Sequence, residues 1–316
     1  MTHSTLLPGY EVGVKNLTIF LEPAAKVGTQ VQPAAILFDT ERCAAVAGLT
    51  AAVLKTEPMR FGLLRKPSLV GGVQFYLPPA KAWRRPVSNN AGELAALDRK
   101  ELDYGGLYLH GQNVLLEYRV AGARLLDTSQ LHVGDHDPIS SKPPLAALAR
   151  TLQWEPGEAS GPLFLTLAEM PSPPQIAEHG GLLVASCREG QTVHAIALKS
   201  GGKGESPLAV RGRDVLLALP DSKAADAKAA PWRGTWVCWS GPESELPALL
   251  ALAAETATPE LEPLKEPDGR RWGKPLVTQG KVADDAGHNA PYVVDTVTIP
   301  YDNPMGALFF VTGLDF

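Results

Sequence analysis

The densest run of groups able to do chemistry is Leu131–Pro138, LHVGDHDP, which brings His132, Asp135, His136 and Asp137 close together. Two imidazoles and two carboxylates are donor types for a divalent metal, and either imidazole could act as a general base. Histidines four apart would share a helix face, but Gly134 and Pro138 favour a loop, where Asp before Pro is ordinary turn chemistry. The catalytic candidates are therefore His110, Asp135, His136 and Asp137, and the metal candidates are His132, His136 and Asp302. Carboxylates expected at strand ends (Asp39, Asp103, Asp295 and Asp302 beside Asn303) have the oxygen chemistry that suits calcium, though no EF-hand loop is present. His110, at the tip of a strand, could stand at the mouth of a site, yet a histidine beside a turn is commonly solvated or bonded to backbone.

Aromatic residues offer a second chemistry. Trp232, Trp236 and Trp239, with Tyr292, could stack on sugar rings. On a strand, Trp232 and Trp236 share one face and Trp239 takes the other, so at least one ring belongs to a core. Nucleophile and metalloprotease signatures (GxSxG, HExxH) are absent, as are GxGxxG and the Walker sequence. SxxK occurs only as Ser200-Gly201-Gly202-Lys203, without its SDN and KTG partners. Cys43, Cys187 and Cys238 form neither CxxC nor CxxCH, so no thiolate zinc knuckle and no covalent haem is encoded. Cys187 and Cys238 lie in apolar runs and read as buried.

The elements that must position these groups are mostly strands. Runs at Val12–Leu21, Ala34–Phe38, Leu69–Tyr76, Gly106–His110, Val114–Val120, Leu163–Leu167, Leu182–Cys187, Thr192–Leu198, Asp214–Leu219 and Thr235–Ser240 fit strand patterning. Tyr292–Ile299 and Ala307–Leu314 extend the pattern to the last residues. Tight links at Gly111-Gln112-Asn113 and Ala121-Gly122-Ala123-Arg124 predict a three-stranded meander over Gly106–Asp127. Helices are expected at Thr40–Lys55, behind an Asp39/Thr40 cap, at Ala91–Leu102 and at Glu243–Thr256, with Pro143–Leu152 either helix or strand. Leu77–Asn90, Ser200–Ser206 and Asp221–Pro231 read as exposed loops, and Thr258–Arg271 as a Pro- and charge-rich crossing. Strand and helix do not alternate at βαβ spacing, which argues against a Rossmann sheet. The expected fold is mainly β: an antiparallel β-sandwich, large or curled, with a few short helices. Two β subdomains, 1–130 and 131–316, or one continuous sandwich, fit the break near Asp127–Pro144.

Bulk properties limit the partners. The 316 residues carry a net charge of -5, with 45% hydrophobic residues, enough for a sizeable core. Such a chain has no basic field for nucleic acid, and its apolar runs are too short for a membrane span. The first residues, MTHSTLLPGYEV, lack a secretory leader, so a cytoplasmic protein and a secreted one without its leader would begin alike.

Three segments resemble a known architecture: Ala35–Leu54, with FDT leading into an apolar run; Tyr104–Val120, with its GLYLHG hairpin; and Pro291–Phe316, PYVVDT…DNP…GLDF. They are similar to the functionally uncharacterised N-terminal domain of large secreted bacterial proteins. In those proteins the domain precedes a β-propeller like that of sorbosone or quinoprotein dehydrogenases, often followed by c-type cytochrome modules. The resemblance implies a non-catalytic accessory, binding or docking module of a larger secreted or periplasmic redox protein, continuing beyond Phe316. It implies no cofactor on this chain, with haem or quinone chemistry in the downstream modules. Expected partners are the downstream domain, a redox partner or a polysaccharide. The alternative is a carbohydrate-active hydrolase or lyase on a β-sandwich, with His110, His136 and nearby carboxylates converging.

Overall fold

The computed structural model describes residues 16–21, 33–55, 68–87, 90–134, 144–157, 162–199, 207–220, 231–268, 277–282, 295–299 and 302–303. The chain forms two compact units, Met1–Pro267 and Asp268–Phe316. The described part of the first is mainly β, in three sheets whose neighbouring strands all pair antiparallel.

The first sheet is a meander of β1 (Asn16–Leu21), β2 (Ala34–Asp39), β3 (Ala44–Lys55) and β4 (Ser68–Tyr76). A second sheet of five strands joins β5 (Trp83–Val87), β6 (Asn90–Ala96), β11 (Leu163–Glu169), β15 (Leu208–Arg211) and β16 (Asp214–Leu219) in the order β15-β16-β11-β5-β6. The largest sheet has eight strands: β7 (Leu102–His110), β8 (Asn113–Val120), β9 (Ala123–Val133), β10 (Ala146–Glu155), β12 (Gln175–His179), β13 (Leu182–Glu189), β14 (Thr192–Lys199) and β17 (Trp232–Pro242). Their order is β12-β13-β14-β17-β10-β9-β8-β7. The expected meander is its β7–β8–β9 end. The 130/131 boundary falls inside β9, and the chain on either side of Asp127–Pro144 returns as the neighbouring strand β10.

One core joins the three sheets. Phe38 and Phe75 enter it from the first, Trp83 and Leu165 from the second, Tyr118 and Leu148 from the third. The sheets approach so closely that a Cβ on Gly48 would lie 2.3 Å from the Phe75 ring and 2.5 Å from a Leu148 methyl. Burial of such apolar surface is the main force holding the layers together. The other face of the large sheet receives α1 (Leu246–Glu255), whose Leu249 and Ala253 pack on Ala147, Ala149 and Ala195. Small residues there let the helix come close. β10 is consequently buried on both faces. Trp236 faces the inner core and Trp239 the helix side, as alternation requires.

Each interior strand expected from the sequence is present, although Val12–Leu21 is described only from Asn16. Two expected helices are strands instead. After Asp39 the chain makes a four-residue turn, and Ala44–Lys55 is β3. Asp39 Oδ1 accepts the N–H groups of Glu41 (2.8 Å) and Arg42 (2.9 Å), the same bonds a helix cap makes. Cys43 then adopts φ 50°, which reverses the chain into a hairpin. Ala91–Leu102 likewise resolves into β6, a short 3-10 turn at Arg99–Glu101 capped by Asp98, and the start of β7. Pro143–Leu152 becomes a strand from Ala146, and Glu243–Thr256 contains the expected helix. Leu77–Asn90 is no simple exposed connector. It holds β5, whose buried Trp83 donates Nε1–H to the Cys43 carbonyl at 2.9 Å.

In the second unit, Lys281 and Thr296 form an antiparallel bridge, flanked by the Thr278 hydroxyl on the Thr298 carbonyl at 2.6 Å. Tyr292–Val294, and all of Ala307–Leu314, Ser200–Ser206 and Asp221–Ala230, lie outside the described residues.

Candidate functional site

A small cleft of about 130 Å³ opens where β4, the end of β11 and β14 meet. Gln74 and Tyr76 come from β4, Glu169 and Met170 from β11 and just beyond it, His194 and Ile196 from β14. Three sheets that each alternate inward and outward residues meet here, so polar groups at strand ends rim an apolar floor.

A polar clasp closes one wall. The Ser240 amide donates to Gln74 Oε1 (2.9 Å), the Ser240 hydroxyl to the Gln74 carbonyl (3.1 Å), and Gln74 Nε2 donates to Thr50 Oγ1 (2.9 Å). His194 Nδ1 lies 2.7 Å from Ser240 Oγ, and its Nε2 is 3.7 Å from the Glu189 carboxylate. Serine, histidine and glutamate are the residue types of a nucleophilic triad, but the Glu189 carboxylate is too far from Nε2 for a hydrogen bond. The Ser240 hydroxyl has one proton and two acceptors within reach, the Gln74 carbonyl and His194 Nδ1. Burial lowers the His194 pKa despite Glu189, which keeps the ring neutral at pH 7.

Glu169 in the cleft lining belongs to an ion network. Lys81 Nζ bridges Glu169 (3.0 Å) and Asp214 (3.3 Å), Arg84 reaches Asp214 at 2.6 Å, and Arg213 pairs with Glu169. Tyr76 is raised by burial and by Glu169 nearby.

Deeper in the core, Arg150 pairs with Asp127, which also accepts the Tyr118 hydroxyl at 3.0 Å. The guanidinium lies 5.0 Å from the Trp236 ring centroid. Burial alone would lower the Arg150 pKa, but Asp127 and Tyr118 raise it overall. Tyr118 is pushed well up by burial and by Asp127. These groups are sealed from solvent and act on each other.

The residues singled out from sequence are dispersed. His110 ends edge strand β7, its Nδ1 2.7 Å from the Glu266 carbonyl. His132 sits within β9 opposite Ala147, half-buried, with its pKa lowered by burial. It is a strand residue, which corrects the expectation of a loop there. Asp135, His136 and Asp137 lie outside the described residues. Asp39 caps its turn, Asp103 is exposed on β7, and Asp295 and Asp302 are exposed in the second unit. Among the described residues, no group of three or more His, Cys, Asp or Glu is gathered as a metal would require. Cys43 and Cys238 are buried, and burial pushes each thiol up to about 12. No described helix is long and apolar enough to cross a membrane.

His194, Gln74 and Glu169 were not singled out from sequence. The available signal was His194 in the strand Thr192–Leu198, on the same face as Ile196 and Leu198.

Residues 36–127 match a family model described as a domain of unknown function (DUF6797). No curated protein matches the chain. The match runs from β2 into the middle of β9, so it contributes strands to all three sheets. It includes Gln74, Lys81 and Asp127, whereas their partners Ser240, Glu169 and Arg150 lie beyond it. The matched segment is thus part of one packed unit whose core the later strands complete.

Proposed function

We propose that this chain is a non-catalytic accessory module that docks a neighbouring domain or partner within a larger secreted or periplasmic redox protein. One observation carries the non-catalytic part. In the Ser240–His194–Glu189 group the Glu189 carboxylate stands 3.7 Å from His194 Nε2, beyond a hydrogen bond, so no third group orients the ring as a base, and the Gln74 carbonyl competes with Nδ1 for the serine proton. The carboxylates beside the cleft are held in one ion network, Glu169 by Lys81 and Arg213, and Asp214 by Lys81 and Arg84. The redox context rests on the resemblance of Ala35–Leu54, Tyr104–Val120 and Pro291–Phe316, and the match over 36–127 supports its domain part. On this reading the chain needs no cofactor of its own, and its partner is a downstream domain, a redox subunit or a polysaccharide.

The alternative of a carbohydrate-active enzyme needs two carboxyl groups about 5–10 Å apart across a sugar-sized cleft. The described cleft presents one carboxylate, Glu169, already held by Lys81 and Arg213. Two measurements test the proposal. Met1–Phe316 is expected to show no turnover on a panel of glycans and oxidisable sugars, and Ser240 is expected to resist a fluorophosphonate probe. Turnover, or labelling that H194A removes, would overturn it.

A further inference from the structure

We infer that the cleft between β4, β11 and β14 is the anchor pocket of the docking surface, taking an apolar side chain of a partner polypeptide flanked by an acidic residue. Its floor is apolar, formed by Phe75, Ala168, Met170 and Ile196, and the exposed Val73 extends it at the rim. Its volume, about 130 Å³, is well below the several hundred Å³ typical of small-molecule sites. It compares instead with the roughly 150 Å³ apolar cavities that hold one benzene ring. One aromatic or branched aliphatic side chain fills such a space, and buried anchors of this kind dominate docking energetics.

The charge beside the cleft selects the anchor's neighbour. Lys81 and Arg213 leave 41% and 53% of their side chains exposed, while Glu169 and Asp214 leave only 12% and 9%. The ion network therefore turns its cations to solvent and its carboxylates inward. A carboxylate next to the anchor residue meets two exposed cations, whereas a lysine there is repelled. The clasp of Gln74, Ser240 and His194 fixes the wall strands relative to each other, so the pocket is preformed.

This inference rests on the docking reading, and the test separates the two. The chain Met1–Phe316 carrying ¹³C-methyl Met and Ile is titrated with N-acetyl-Asp-Phe-amide, N-acetyl-Lys-Phe-amide and N-acetyl-Asp-Ala-amide. Saturable shifts of the Met170 and Ile196 methyls with a millimolar dissociation constant are expected for Asp-Phe, and binding about tenfold weaker for the other two. R213Q should narrow the Asp-over-Lys preference while the Met170 shift persists. Absence of saturable shifts, shifts centred elsewhere, or equal binding of all three probes would overturn the assignment. If a partner domain binds with Met170 and Ile196 unmoved, docking stands and the pocket assignment falls.

Discussion

Arg124 and Arg150 stand on neighbouring strands of the same sheet and both pair with carboxylates, yet they do different work. Arg150 faces the core, sealed with Asp127, Tyr118 and Trp236. Arg124 faces outward and gathers Glu117 (2.6 Å), Glu155 (2.9 Å) and Glu262 (2.7 Å). Lys265 joins through Glu117 at 3.0 Å, and Leu261 packs beneath on Leu115 and Leu126. The outer network straps the 3-10 turn Glu262–Lys265 across the sheet. The inner pair straps nothing. It is a charge-balanced unit whose two members tolerate burial only together. One chemical pair thus becomes a fastening at the surface and a mutually neutralised pair in the core.

The largest effect should come from breaking the inner pair. D127A leaves Arg150 buried and uncompensated, and a loss of about 3–5 kcal/mol is expected in urea unfolding. Replacing both partners by leucine should recover most of that loss, and failure to recover would mean the pair does more than balance charge. Next comes the strap: L261A should cost about 2–3 kcal/mol by emptying a buried site, with unfolding still cooperative. Smaller again is E117Q, about 1 kcal/mol and reduced by salt. Although burial alone would raise the Glu117 pKa, its bonds to Arg124, Tyr108 and Lys265 hold it down at about 2. A depressed carboxylate stabilises the fold above its ordinary value of 4.5, and that contribution is lost as pH falls toward about 2. E117Q should flatten this acid limb of the stability curve. The smallest effect probes a buried carboxylate whose burial outweighs the nearby Arg42. Burial raises the Asp39 pKa, and its Oδ2 has no hydrogen-bond partner among the described residues. D39N keeps the acceptor that caps the turn, so a small stability gain is expected at pH 7, vanishing below pH 3.8, where aspartate itself is protonated.

Strand positions were legible because alternation survives in any sheet with one buried face, as in β7 and β8. The helix expectation at Thr40–Lys55 failed because Asp39 bonds its following N–H groups alike in a helix cap and in a hairpin turn. Only Cys43 at positive φ separates the two. Alanine richness misled for a related reason: β3 and β10 need small residues where other layers press close, as Gly48 against Phe75 and Ala147 under α1 show. The cleft was less legible still. His194, Gln74 and Glu169 are separated by more than 90 residues in part, and no local spacing signals that they meet. The visible cluster at His132–Asp137 drew attention because its residues are adjacent in the chain, and His132 proved to be a strand residue.

The sequence by itself determined the β class, the positions of the strands that alternate cleanly, the split of Trp236 and Trp239 to opposite faces, and the lack of recognisable catalytic motifs. Each depends on a period of two or on neighbours a few residues apart. The tertiary structure decided how the strands divide among three sheets, which arginine is buried, and where a cleft forms. Those outcomes depend on contacts between residues remote in the chain, whose energies no local pattern records.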